Sequence, residues 1–182
     1  MNNLMTLFDQ VNFLTLLWIF FFIFVLHEFE EWNIDRFERK HFVGLPPAAT
    51  DRSARMWIFC VCLIGLTWIL AATLPGQPAL AAWIFLPAVA ILIQNSLQHV
   101  YWTFFFKQTA PGVFTAAFLL IPYGSFLILR ALHLGYVPLW YAAILLLFIA
   151  AGSIQTILAG SKMPPLIRGI NEIGIWLAER IR

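Results

Sequence analysis

The sequence predicts an all-α membrane protein: a polytopic bundle of five transmembrane helices, followed by a C-terminal amphipathic interfacial helix. Composition is the first reason. Of 182 residues, 62% are hydrophobic and 11% charged, with mean hydropathy +0.84, whereas a soluble domain carries ~25% charged residues. Spacing is the second: the apolar residues form five long runs separated by Pro, Gly and charge, which leaves no length for a separate soluble domain. Residues 1–163 form the expected bundle and residues 164–182 the surface helix. The net charge of +2 is too small to point to nucleic acid as a partner.

The first span rests on residues 13–31, after a mixed polar and apolar lead-in over residues 1–12. Its unbroken apolar run ends at Leu26 after fourteen residues, short of the ~20 that cross a bilayer. The span therefore either borrows the polar segment before Phe13 or carries His27, Glu30 and Glu31 into the membrane edge. With no Lys or Arg before Arg36 and no small-residue cleavage pattern, it reads as a retained span and not a signal peptide. It is expected to continue through Lys40, with Asp35 and Arg39 as a water-exposed i,i+4 pair, until Gly44 and Pro46-Pro47 stop it.

Thr50 or Asp51 caps the second span, residues 56–74. Cys60 and Cys62, two apart on that helix, point to opposite sides and read as small buried hydrophobes. The turn Pro75-Gly76-Gln77-Pro78 leads into the third span, with Pro in its first turn and a bend expected at Pro87. Past Ile93 this helix becomes polar through Gln94, Asn95, Gln98 and His99. Pro111-Gly112 opens the fourth span, residues 113–132, with Thr115 one turn in. The fifth covers residues 139–158 and ends with Ser153, Gln155 and Thr156. In residues 166–182, Leu166, Ile170, Ile173, Leu177 and Ile181 share one face. Arg168, Asn171, Glu172, Glu179 and Arg182 share the other, the pattern of a helix lying along a membrane surface.

Lys and Arg set the expected orientation. All but Arg130 fall on one side of five alternating spans, which places the N-terminus outside and the C-terminus in the cytoplasm. His27 lies eight residues before Asp35 and His99 eight before Lys107, so both histidines sit ~12 Å from the first solvated charge on the cytoplasmic side. Neither polar stripe can face lipid without stranding ionisable groups. His27 and His99 are thus expected to face each other, with Thr115 and Gln155 or Thr156 lining the same cytoplasm-facing cavity and Ser153 near it on the same side.

On a helix, His27, Glu30 and Glu31 point the same way while Glu28 points elsewhere. Two histidines and one carboxylate suit a divalent metal, zinc or non-haem iron, with positions left open for water or substrate. His27, Glu30, Glu31 and His99 are the candidate metal ligands. Glu30 and Glu31 are the candidate catalytic carboxylates, one ligating and the other acting as base on metal-bound water. Asn95 and Thr115 are the candidate residues for orienting cofactor or substrate. At headgroup depth the substrate is expected to be lipid-like, and metal-assisted hydrolysis and iron-dependent oxidation both suit the set. Other readings stay open: polar glue between helices, a small transporter or proton pathway through Glu30 and Glu31, and a structural membrane partner protein without catalysis that docks through its C-terminal helix.

His27-Glu28-Phe29-Glu30-Glu31 resembles the signature of the bacterial membrane-protein family named for its HXXEE motif. The likeness extends to Asn95-Ser96-Leu97-Gln98-His99 and to Pro111-Gly112 followed by Thr115. The resemblance implies a bacterial cytoplasmic membrane location and importance for His27, Glu30, Glu31, Asn95 and His99. It implies no substrate.

Overall fold

In the first helix, α1 (Phe13–Glu30), Asn12 supplies the N-cap: its side chain accepts from the Leu14 amide at 2.9 Å. The helix is apolar all round, as a helix between core and lipid should be. Phe13, Leu16, Leu17, Phe20, Phe21 and Phe24 face the bundle, and the same face continues into His27 and Glu28. The computed structural model describes residues 11–181, so the lead-in expected at the start of the chain lies outside the described residues up to residue 10.

The other helices are α2 (Ile34–His41), α3 (Asp51–Thr73), α4 (Pro78–Phe105), α5 (Val113–His133), α6 (Leu139–Ala159) and α7 (Pro165–Arg180). Five of these seven, α1 and α3–α6, are long and apolar enough to cross a membrane. Among the described residues there are no strands, only a single parallel bridge between Val43 and Lys162. The all-α bundle is therefore as the sequence predicts. Large apolar side chains such as Phe22, Phe118, Leu147 and Leu158 lie on the outside, an arrangement that water would penalise and lipid favours.

Three local expectations change. The first helix does not run on to Lys40. It stops at Glu30, turns through residues 31–33, and restarts as α2. Arg39 does pair with Asp35, at 2.8 Å, but Asp35 is buried; Arg39 also donates to the Ala49 carbonyl, which ties the α2–α3 loop to the pair. The two cysteines are half-buried free thiols and not core residues.

Thr50 and Ser53 make a reciprocal capping box at the start of α3. In α5, residues 116–120 widen into a π-helical turn immediately before Pro122. Proline has no N–H to return to the carbonyl four residues back and its ring crowds that carbonyl, so a wider turn relieves the contact. Helix α7 packs on α3 by a different face from the one its apolar residues suggest. Asn171 and Gly174 are buried, whereas Leu166, Ile173 and Trp176 are exposed. A Cβ on Gly174 would lie 2.5 Å from the Ser53 carbonyl, so only glycine allows this approach. Ile173 and Trp176 stay on the outer surface, while Leu166 and Ile170 border a cavity.

Candidate metal centre

His27 is fully buried at the end of α1, and His99, 1% exposed, comes from α4. Their rings meet edge to face with centroids 5.2 Å apart, the pairing expected from their matching depth. Glu31, immediately past α1, reaches between them. Its Oε1 lies 2.9 Å from His27 Nε2 and 2.9 Å from His99 Nε2. One potential ligand atom from each of His27, Glu31 and His99 falls within 4.8 Å of the others. Zinc bonds to nitrogen and oxygen are ~2.0–2.2 Å, so an ion would fit after a few tenths of an ångström of separation.

The hydrogen-bond network assigns the protons. Thr115 Oγ1 lies 2.6 Å from Glu30 Oε2 and 2.8 Å from His27 Nδ1. A carboxylate only accepts, so the hydroxyl donates to Glu30 and receives the Nδ1–H of His27. The Asn95 side-chain amide lies 3.2 Å from His27 Nε2. With Nδ1–H held by Thr115, Nε2 of the neutral ring carries no proton and stands against the Glu31 carboxylate. Two acceptors at 2.9 Å need a proton or a cation between them. The outer partner holding Nδ1–H is the arrangement that orients ligating histidines. His99 Nδ1 makes no hydrogen bond among the described residues.

Gly112 makes the close approach possible. Its φ is +83°, which favours glycine, and a Cβ there would lie 2.8 Å from His27 Cε1 and 3.0 Å from Glu31 Cγ. Backbone and site therefore both require glycine ahead of α5.

Residues 18–127, more than half of the chain, match the model of a family described as "Protein of unknown function with HXXEE motif". The chain belongs to this family. No curated protein and no solved structure matches it.

The two glutamates that close the HXXEE motif are placed differently. Glu31, four residues from His27, joins the histidines. Glu30 turns to the start of α5, where its carboxylate accepts from the Phe114 and Thr115 amides at 3.1 and 2.9 Å. It thus satisfies free N–H groups and meets the positive end of the helix. Glu28, expected to point away, is buried and lines a cavity of about 430 Å³ together with Glu31, Glu38, Asn95, Gln98 and His99. Sequence reasoning also missed Glu38 of α2. Burial pushes its carboxyl up to about 7, against the opposing effect of the hydrogen bond from Asn171.

The expected contribution of the fifth span differs as well. Ser153 and Thr156 bond back to Ile149 and Gly152 of their own helix, and Gln155 is exposed. What α6 supplies is Phe148 in the cavity wall and Gly152, where a Cβ would lie 2.6 Å from Gln94 Cγ.

Proposed function

We propose that this protein is a metal-dependent membrane enzyme acting on a lipid-like, amphiphilic substrate at the cytoplasmic face of a bacterial cytoplasmic membrane. The single observation that supports the metal is the convergence of His27 Nε2 and His99 Nε2 on one Glu31 oxygen, 2.9 Å from each, in a buried set of three potential ligands. His27, Glu31 and His99 would hold the ion, and Thr115, Glu30 and Asn95 would orient His27. A two-histidine, one-carboxylate set leaves positions for water or substrate, and the ion would supply Lewis acidity and a water deprotonated near neutral pH. Glu30, engaged by α5, is a positioning residue in this reading. The adjoining cavity supports the substrate class, since it joins carboxylates and amides to an apolar wall.

A proton pathway across the bilayer finds less support. Beyond His27 the bundle is filled by Leu16, Leu17, Phe20, Leu120 and Leu127, all essentially without exposure.

Elemental analysis of the detergent-purified chain tests the proposal. The wild type should carry about one zinc or iron per chain, as a single closed set of ligands allows. A His27→Ala, His99→Ala double variant that remains monodisperse should carry none. Equal, negligible metal in both would overturn it.

A further inference from the structure

The cavity beside the triad has a lining that narrows the substrate class further. Helices α3 and α6 both pack on α4, and their backbones do not approach each other closely. The gap is floored by α4 and walled by Trp57, Ile58 and Val61 of α3, Ile91 and Leu92 of α4, and Phe148 of α6. Ile91 and Phe148 are 42% and 48% exposed on the apolar outer surface, so the gap opens sideways toward lipid. At about 430 Å³ it has the size of a pocket for one small molecule, ~300–1,000 Å³.

The inner end is acidic. Glu28, Glu31 and Glu38 all line it, and no Lys or Arg does. A second observation is independent of these carboxylates. Gln98 lines the same cavity and is 7% exposed, yet its amide makes no hydrogen bond within the described residues. Glu28 is equally without a hydrogen-bond partner, whereas Asn171 and Glu38 in the same wall bond to each other. The polar atoms of Gln98 and Glu28 open into the cavity instead, where whatever fills it must satisfy them.

We propose that this cavity seats a single-chain amphiphile whose head is an amine or ammonium group. The chain lies in the gap between α3 and α6, and the head reaches Glu28, Glu38 and the Gln98 amide. An ammonium group brings the N–H donors that the carboxylates lack and the positive charge that the wall lacks. A carboxylate, sulfate or phosphate head would find no Lys or Arg in the lining and would have to turn to the ion proposed at the triad. The proposal deepens the proposed function and rests on it for treating this ligand as a substrate. Binding itself needs only the cavity.

The test is photolabelling of the full chain in nanodiscs. A diazirine-bearing dodecylamine is compared with the dodecanoate probe of the same length, and labelled peptides are mapped. The amine should label residues around Trp57–Val61 and Ile167–Asn171, and unlabelled dodecylamine should compete. Glu28→Gln and Gln98→Leu should each lower labelling about tenfold, the scale of one hydrogen bond to a charged group. The dodecanoate should label only lipid-facing residues. Equal labelling of the cavity by both probes would overturn the proposal, as would amine labelling that ignores both substitutions. If Glu28→Gln does not fold, Gln98→Leu and competition on the wild type give the same reading. Metal content measured on the same samples separates the two ideas. Cavity labelling by the amine in a chain that binds no metal refutes only the metal. Metal without cavity labelling refutes only the amine.

Discussion

Replacing Thr115 with valine keeps the shape of the side chain and removes one hydroxyl, which isolates the step that fixes His27. The wild-type hydroxyl receives His27 Nδ1–H at 2.8 Å and donates to Glu30 at 2.6 Å. In the variant, Glu30 keeps the Phe114 and Thr115 amides, so the clamp between α1 and α5 survives. His27 is 0% exposed and has no other recorded partner at Nδ1. Its proton is then left unpaired at ~1–3 kcal/mol, or it moves to Nε2 and occupies the ligand position. Either way metal binding weakens. Loss of an outer partner typically lowers affinity ~10–100-fold, equivalent to ~1.4–2.7 kcal/mol. Competition against a chromophoric chelator measures zinc affinity in the wild type, Thr115→Val and Thr115→Ser. The valine variant should fall in that range and the serine variant should stay near wild type. Wild-type affinity in Thr115→Val, or an equal loss in Thr115→Ser, would refute the relay.

Gly112→Ala should lower both melting temperature and metal content, since a left-handed backbone costs a non-glycine residue ~1–2 kcal/mol and its Cβ would press on His27 and Glu31; unchanged values in both measurements would count against the site. Glu31→Gln should abolish metal binding, whereas Glu30→Gln should retain metal at reduced affinity and lose ~1 kcal/mol of stability, read from metal analysis and thermal unfolding of the two variants. Glu38 has a folded-state pKa raised from 4.5 to about 7, so the folded chain holds its proton longer than the unfolded chain. Its contribution is complete below pH 4.5 and is lost as pH rises to about 7, and thermal unfolding across that window should show a decline that Glu38→Gln flattens.

The pairing of His27 with His99 was legible because it needed only two quantities, depth and polarity. Each histidine stands at the same remove from the first charge, and lipid excludes any other direction for both. The role of each carboxylate was not legible. Helix α1 is apolar all round from Phe13 to Leu26, so no periodicity announces which face meets the bundle. Once the buried face is known, extending it past Phe24 selects His27, Glu28 and Glu31 and sets Glu30 aside. For α7, amphipathicity identified two faces but not their targets. Against lipid there is little gain in burying the apolar side, and packing falls to small and polar residues, here Gly174 and Asn171. Ser153 and Thr156 misled because a hydroxyl can always bond the carbonyl four residues back, as both do. Polarity near a membrane end therefore does not by itself place a side chain in a cavity.

The HXXEE motif joins two tasks through its spacing. On a helix the third residue after His27 and the fourth lie on adjoining but different lines. Glu31 returns to the imidazole itself, while Glu30 reaches across to α5 and, through Thr115, holds the opposite ring nitrogen. One histidine is thus gripped from both sides by consecutive carboxylates, and α5 cannot shift without moving the Nδ1 partner. Every residue of this arrangement, with Asn95, His99 and Gly112, lies within the segment matched by the family, residues 18–127. The cavity does not. Phe148 of α6 and Leu166, Ile167, Ile170 and Asn171 near and within α7 complete its walls from outside that segment. On the proposed reading, the matched segment supplies the chemistry, while α6 and α7 shape what can enter. Establishing a metal in this chain would then speak for the motif, whereas establishing its substrate would speak only for chains that carry the same α6 and α7 walls.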